Sequence, residues 1–242
     1  MSAAELTVVI LCGGRGTRLQ ERTQSIPKPL VEIGGRPIVW HVMQIYIAQG
    51  FRRFVLCTGY KRELIERFAR DERWPEGVEV QCLDTGVDTP TGGRALAAAR
   101  HVGEAPFCLT YADGVADIDL HALLAAHRAH GDLATVTVVR PELQFGVAEI
   151  DASGRVAGFR EKPRAEQWVN GGFFVFEPGV AGYLAQDSVL ERAPLERLAA
   201  AGQLHAFRHE SFWDCMDTYK DAVLLNDLWD QGLAPWKARI PA

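Results

Sequence analysis

The chain has 242 residues, of which 48% are hydrophobic and 24% charged, with a formal net charge of −5. That length can bury the core of one large α/β domain or two small ones. The acidic balance argues against coating nucleic acid or an anionic membrane, while leaving room for a local basic pocket, so small-molecule partners are expected.

The amino terminus, MSAAE, has no basic segment and no apolar h-region, and no apolar run approaches the ~18 residues of a membrane span. Cys12, Cys57, Cys82, Cys108 and Cys215 are an odd number without C-x-x-C spacing. Most sit in apolar strand-like runs, where a thiol behaves as a small hydrophobe. They read as reduced core residues of a cytoplasmic protein.

In chain order, an apolar run over residues 6–12 predicts a buried strand. It drops into Gly13-Gly14-Arg15-Gly16-Thr17-Arg18, and Lys28 follows between two prolines. Glycine lets backbone N–H groups approach an anion and reaches the positive φ of an anion-binding nest. Arg15, Arg18 and Lys28 add charge suited to phosphate. A tight turn with solvated arginines accounts for the loop alone equally well. The loop is not a dinucleotide fingerprint, because Leu19 replaces the third glycine and the next strand ends in Cys57-Thr58-Gly59-Tyr60 with no acidic ribose ligand. It is not a P-loop, because no G-K-[S/T] follows.

Pro37 opens a helix expected to run to about residue 49. A strand over 54–57, a helix over 62–70 and a strand over 78–83 follow, a β-α-β-α-β rhythm that implies a parallel sheet. Thr91-Gly92-Gly93-Arg94 opens the next helix through residue 100. A strand over 107–111 then ends in Ala112-Asp113-Gly114, and a helix covers 120–130. Asp113 thus lies just past a strand's carboxyl end, where doubly wound sheets place ligands. From residue 133 the texture is β-rich, with strands over 134–139, 145–150, 156–160 and 172–176 and a hairpin turn at Asp151-Ala152-Ser153-Gly154. Helices over 179–185 and 194–201, a strand over 205–208 and a helix over 218–231 complete the chain. The fold expected is α/β, a Rossmann-like doubly wound mixed sheet, mostly parallel, with a smaller β-rich half. It is read as one domain with halves at 1–132 and 133–242.

Three separated features could meet the opening loop. Asp113 and Asp217 offer the one or two hard oxygen ligands that Mg2+ takes beside substrate phosphates. Asp217 alone reads rather as a helix N-cap, and Asp113 alone reads either way. Glu161-Lys162-Pro163 and Asn170-Gly171-Gly172 could supply a phosphate ligand and hydroxyl acceptors, although an isolated E-K-P is ordinarily a solvated edge.

The ordered set V-V-I-L-C-G-G-R-G-T-R-L, P-K-P-L, T-G-G-R, Y-A-D-G, E-K-P, N-G-G-F-F and W-x-x-M-D-T resembles the sugar-1-phosphate nucleotidyltransferases, and within them the glucose-1-phosphate cytidylyltransferases. The resemblance implies transfer from a nucleoside triphosphate, CTP before UTP or GTP, to a sugar 1-phosphate, glucose before another hexose or a heptose. It implies that Leu11, Cys12, Gly13, Gly14, Arg15, Gly16, Thr17 and Arg18 wrap the nucleotide, with Thr91, Gly92 and Arg94 at base or ribose. Lys28 would neutralise the α-phosphate and Asp113 and Asp217 would hold Mg2+. Lys162 would bind the sugar phosphate, and Gly146, Glu161, Asn170 and Gly171 would read sugar hydroxyls. Arg18, Lys28, Asp113 and Lys162 are the catalytic set so implied, in a homo-oligomer with no nucleic-acid or membrane partner. A non-catalytic sugar-nucleotide-binding module on the same fold is the alternative from another class. Three departures stand out. Ala112 replaces the family's usual glycine, residues 70–78 are short where the cytidylyltransferases carry an insertion, and Asp214-Cys215 precedes M-D.

Overall fold

In this computed structural model, which describes residues 2–16 and 25–239, the opening apolar run is β1 (Thr7–Leu11) at the middle of the main sheet. Val8, Val9 and Ile10 are fully buried because the strand is covered on both faces. A small antiparallel ladder, β2 (Glu32–Ile33) with β3 (Arg36–Pro37), leads into α1 (Ile38–Ile47), of which all but Trp40 is buried. Then come β4 (Arg53–Thr58), α2 (Arg62–Asp71), β5 (Glu79–Asp84), α3 (Thr91–Val102), β6 (Phe107–Tyr111), β7 (Gly114–Ala116) and α4 (Leu120–His130). The second half contributes β8 (Ala134–Val139), β9 (Val147–Ile150), β10 (Val156–Arg160), β11 (Val169–Asn170), β12 (Phe174–Phe176), α5 (Ala193–Ala200), β13 (Leu204–Arg208), β14 (Trp213–Cys215) and α6 (Tyr219–Asp230).

β1 pairs in parallel with β4 and β6, and β4 with β5. β12 joins β6 antiparallel, β8 joins β12 antiparallel, and β13 closes the far side parallel to β8. One sheet therefore runs through both halves, mixed and mostly parallel as expected. Alternate residues of β1 enter opposite cores. Val8 and Ile10 pack with α1, α4 and α6, whereas Val9 packs with α3, α5 and the phenylalanines of β12. The hairpin β9–β10 pairs only with itself. Its turn is the one the sequence indicates: the Asp151 N–H donates to the Arg155 carbonyl at 2.9 Å and Asp151 caps Ser153.

The stretch expected as a helix over 179–185 is a 3-10 turn, Pro178–Tyr183. The strands expected from residues 145 and 172 begin at Val147 and Phe174. Two short ladders carry too few residues to show a period: β2–β3, and β7–β14, in which Cys215 pairs with Gly114 and Trp213 with Ala116. The second ladder positions the site.

Candidate active site

The carboxyl ends of β1 and β6 open onto a cleft of about 640 Å3. Its wall includes Leu11, Cys12, Gly13, Gly14, Gly16, Lys28, Thr91, Arg94, Asp113, Asn170, Gly171 and Asp217, so the structure gathers most of the sequence-derived candidates in one place. Thr17 and Arg18 lie outside the described residues.

Lys28 is the pivot. Pro27 and Pro29 fix a 3-10 turn, Lys28–Leu30, that turns the lysine into the cleft while Pro29 is buried beneath it. Its Nζ donates to Asp113 Oδ2 at 2.6 Å and to Asp217 Oδ1 at 3.0 Å, with only 13% of the lysine side chain exposed. Burial alone would pull this ammonium's pKa down. The charge and hydrogen bond of Asp113, then those of Asp217, reverse that, and the pKa is raised. The lysine is held as a cation.

The two carboxylates, 104 residues apart in sequence, meet because β14 pairs with β7. The Met216 N–H extends that ladder to the Asp113 carbonyl at 2.9 Å. The N-cap reading of Asp217 is corrected: Thr218 caps α6, its hydroxyl accepting from the Asp221 N–H while Asp221 Oδ2 accepts from the Thr218 N–H at 2.7 Å. This capping box leaves the Asp217 carboxylate to face Lys28. Asp214 is half-buried outside the cleft wall, and burial lifts its carboxyl to about 6. Burial, then the charges of Asp113 and Asp214, pushes the Cys215 thiol up to about 12. Ala112 occupies the core with 4% exposure, its methyl packed rather than projecting freely.

The start of the glycine loop is braced from below. The Arg94 guanidinium, 3% exposed, donates to the carbonyls of Thr58 (3.0 Å), Gly13 (3.0 Å) and Val87 (3.2 Å) and to Thr85 Oγ1 (2.5 Å). The Tyr60 N–H also donates to the Gly13 carbonyl, at 3.1 Å. A Cβ at Gly13 would collide with the Arg94 guanidinium, so close approach by the arginine is what requires glycine there. Among the glycines of the described loop, only Gly16 takes positive φ, +61°. Arg15 turns outward, pairing with Asp88 at 2.9 Å and lying over the Tyr60 ring.

Across the cleft a network absent from the sequence reading ties the two halves together. Glu191 accepts from the Tyr111 hydroxyl at 2.5 Å and from Thr91 Oγ1 at 2.7 Å, and Asn170 Nδ2 donates to the Tyr111 oxygen at 3.0 Å. Burial, then the Glu191 charge, holds the Tyr111 phenol well above its usual pKa. The Trp213 indole N–H donates to the Gly171 carbonyl at 2.8 Å. Gly92 is buried against Ser188, whose carbonyl its N–H contacts at 2.9 Å, so it shapes the wall from behind. Glu191 stands in L-E-R, a string with no motif around it to mark it.

Besides Arg15 and Gly92, the described candidates that the cleft wall does not include are Gly146, Glu161 and Lys162. They sit together on the β9–β10 arm: a Cβ on Gly146 would meet the Phe159 ring and Glu161 Oε2. Lys162 has φ +44°, a left-handed conformation, at the arm's base. There the Leu143 N–H donates to the Pro163 carbonyl and the Ala165 N–H to the Pro141 carbonyl.

The chain matches the nucleotidyl transferase family over residues 7–214. It is 42% identical over 253 residues to a probable glucose-1-phosphate cytidylyltransferase of Bacillus subtilis (strain 168), covering 96% of this chain and 99% of that protein. It is 41% identical over 259 residues to a glucose-1-phosphate cytidylyltransferase of Salmonella typhimurium, with the same coverage of each. Among solved structures, HddC from Yersinia pseudotuberculosis has the same fold at 23% identity, with a TM-score of 0.73 over 93% of this chain and 99% of that one. With a lysine clamped by two carboxylates at the mouth of a glycine-loop cleft, and with near full-length relatives above 40% identity, the chain belongs to the nucleotidyl transferase family, alongside its glucose-1-phosphate cytidylyltransferases.

Proposed function

We propose that this protein condenses CTP with glucose 1-phosphate to give CDP-glucose and pyrophosphate. The observation that carries the reaction type is Lys28 held between Asp113 and Asp217 beside the glycine loop. The choice of CTP and glucose is supported by relatives at 41–42% identity over nearly the whole chain that carry that activity in their names. Relatives named for mannose-1-phosphate guanylyl transfer are 28–31% identical.

An oxygen of the sugar phosphate attacks the α-phosphorus of CTP and pyrophosphate leaves in line. The sugar phosphate is ionised near neutral pH, so no general base is needed, and catalysis consists of positioning two anions and stabilising the transition state. Lys28 moves from the carboxylates to the α-phosphate. The ammonium between Asp113 and Asp217 marks a focus that suits a hard cation, and both residues would hold Mg2+ there. When bound, that ion neutralises phosphate charge. Leu11 to Arg18 wrap the nucleotide, with Arg94 acting through Gly13 and Thr91 facing the base or ribose. Asn170 and Gly171 meet sugar hydroxyls from the wall, and Gly146, Glu161 and Lys162 reach the sugar phosphate when the β9–β10 arm folds over the cleft.

The reading includes one domain with a nucleotide half and a sugar half. No helix among the described residues is long and apolar enough to cross a membrane, and the cytoplasm is the compartment that keeps the five unpaired cysteines reduced. A homo-oligomer is supported by Phe145, Ile150, Val156 and Phe159, all exposed on the arm. The test is a matrix of nucleoside triphosphates against sugar 1-phosphates with Mg2+, scored by pyrophosphate release. CTP with glucose 1-phosphate is expected to lead; a different leading pair overturns the substrate assignment, and silence in every pair overturns the activity.

A further inference from the structure

At the end of the sheet opposite the cleft, the turn from α4 to β8 faces the edge strand β13. The parallel register of β13 with β8 sets His205 beside Thr135. That register stacks the His205 ring on His130, with centroids 4.2 Å apart and planes 8° from parallel. Both rings turn a nitrogen toward one carboxylate oxygen: Asp132 Oδ2 lies 2.7 Å from His205 Nδ1 and 3.3 Å from His130 Nδ1. Ligand atoms of the three residues all fall within 4.8 Å of one another. Ligands on a tetrahedron with ~2.0–2.2 Å bonds stand roughly 3.3 Å apart, so the spacing is near what an ion would need.

The surrounding hydrogen bonds decide which nitrogen of His130 carries a lone pair. His127 Nε2 faces Glu177 Oε1 at 3.3 Å and its Nδ1 faces Thr135 Oγ1 at 2.7 Å. His130 Nε2 contacts the same hydroxyl at 2.7 Å, and the Asp132 N–H donates to His130 Nδ1 at 2.9 Å. A carboxylate accepts only, so His127 donates from Nε2 and accepts at Nδ1. The Thr135 hydroxyl therefore gives its hydrogen to His127 and accepts from His130 Nε2. His130 Nδ1 is left unprotonated and faces Asp132 and His205, the arrangement by which outer partners orient a metal-ligating imidazole.

We propose that His130, Asp132 and His205 form a second ion site, separate from the catalytic carboxylates, for a divalent transition ion of the zinc class. Two imidazoles and one carboxylate, with the fourth position left to water, suit such an ion and not Mg2+. On binding, His130 Nδ1, Asp132 Oδ2 and His205 Nδ1 become ligands. The His205 hydrogen shifts from Nδ1 to Nε2 by exchange with solvent, and the Asp132 amide gives up its contact with His130. The ion would staple an edge strand to the helix turn beside it.

The experiment is calorimetric titration of the full chain with Zn2+ in excess Mg2+, which fills the hard-oxygen sites, repeated in buffers of different ionisation enthalpy. One saturable site per chain is expected, with a binding heat that does not depend on the buffer's ionisation enthalpy, because neutral imidazoles and a carboxylate release no net proton. His205→Ala and Asp132→Asn should each weaken it at least ~10-fold, while Asp113→Asn leaves it unchanged. His205 is exposed, so its alanine variant should fold and keep pyrophosphate release. Zn2+ should also raise the thermal midpoint of the parent chain and not that of His205→Ala. Absence of saturable binding, or binding indifferent to both site variants, overturns the proposal and leaves a proton-shared histidine pair in its place.

Discussion

The two flanks of the cleft are built in opposite ways. On the side proposed for the nucleotide, the loop after β1 rests on a buried arginine whose described hydrogen bonds end on protein, and Lys28 is pinned by two prolines and two carboxylates. On the side proposed for the sugar, Gly146, Glu161 and Lys162 ride on a two-stranded arm that pairs only with itself and exposes 81% of Phe145 and 64% of Phe159. One flank is tied into the main sheet's framework; the other stands apart as a hairpin. The difference suits an enzyme in which the nucleotide site is rigid and sugar discrimination comes with closure of the arm.

Lys28→Ala and Asp113→Ala attack the built flank where, in the proposed reaction, it would meet the reacting phosphate. Each is expected to lower kcat by ~10²–10³, by analogy with loss of an oxyanion-hole donor, while circular dichroism stays that of the parent. Near-parent turnover in either would remove the clamp from the mechanism.

Arg94→Ala should cost about 3 kcal/mol in urea unfolding and raise KM for CTP, because it removes four hydrogen bonds at once and leaves a cavity beneath Gly13. Arg94→Lys keeps the charge without the fork and should recover only part of both.

The scaffold under Lys28 also carries a pH signature. His41, in α1, is set with its Nε2 on the Ile33 carbonyl at 2.8 Å and its Nδ1 on the Trp236 indole N–H at 3.3 Å. Burial lowers its pKa to about 4. The unfolded chain takes up the proton first, so stability is intact above about pH 6.5 and falls as pH drops toward 4, by roughly 3 kcal/mol at most. His41→Gln, which cannot titrate there, should flatten that part of a stability–pH curve.

On the sugar flank, Lys162→Ala should raise KM for glucose 1-phosphate about tenfold, the size of one exposed charge-assisted contact, and leave KM for CTP alone. If the two constants rise together, the flanks are not independent. Smallest of all, Phe145→Ser in the isolated subunit should change stability by less than ~0.5 kcal/mol, because the ring is already in solvent.

Most of this architecture could be read from the sequence wherever a segment was long enough to show a period: β6, α4, β8 and β10 begin and end at the expected residues. Lys28, Asp113 and Asp217 were legible as types set in ordered motifs, yet nothing local said that the last two meet. Their meeting depends on β7 and β14, three residues each. Glu191 was invisible because its role exists only across the cleft. Arg94 was legible as a cation, but its four protein acceptors depend on the fold.

The β7–β14 ladder also bears on how the enzyme is made. Every strand of the main sheet lies before residue 209, and a chain synthesised to that point already contains the glycine loop and Lys28. It lacks β14 and Asp217, so the lysine has one carboxylate partner and the second wall of the clamp does not yet exist. The main sheet is therefore complete in sequence before the chain reaches the residue that completes the clamp.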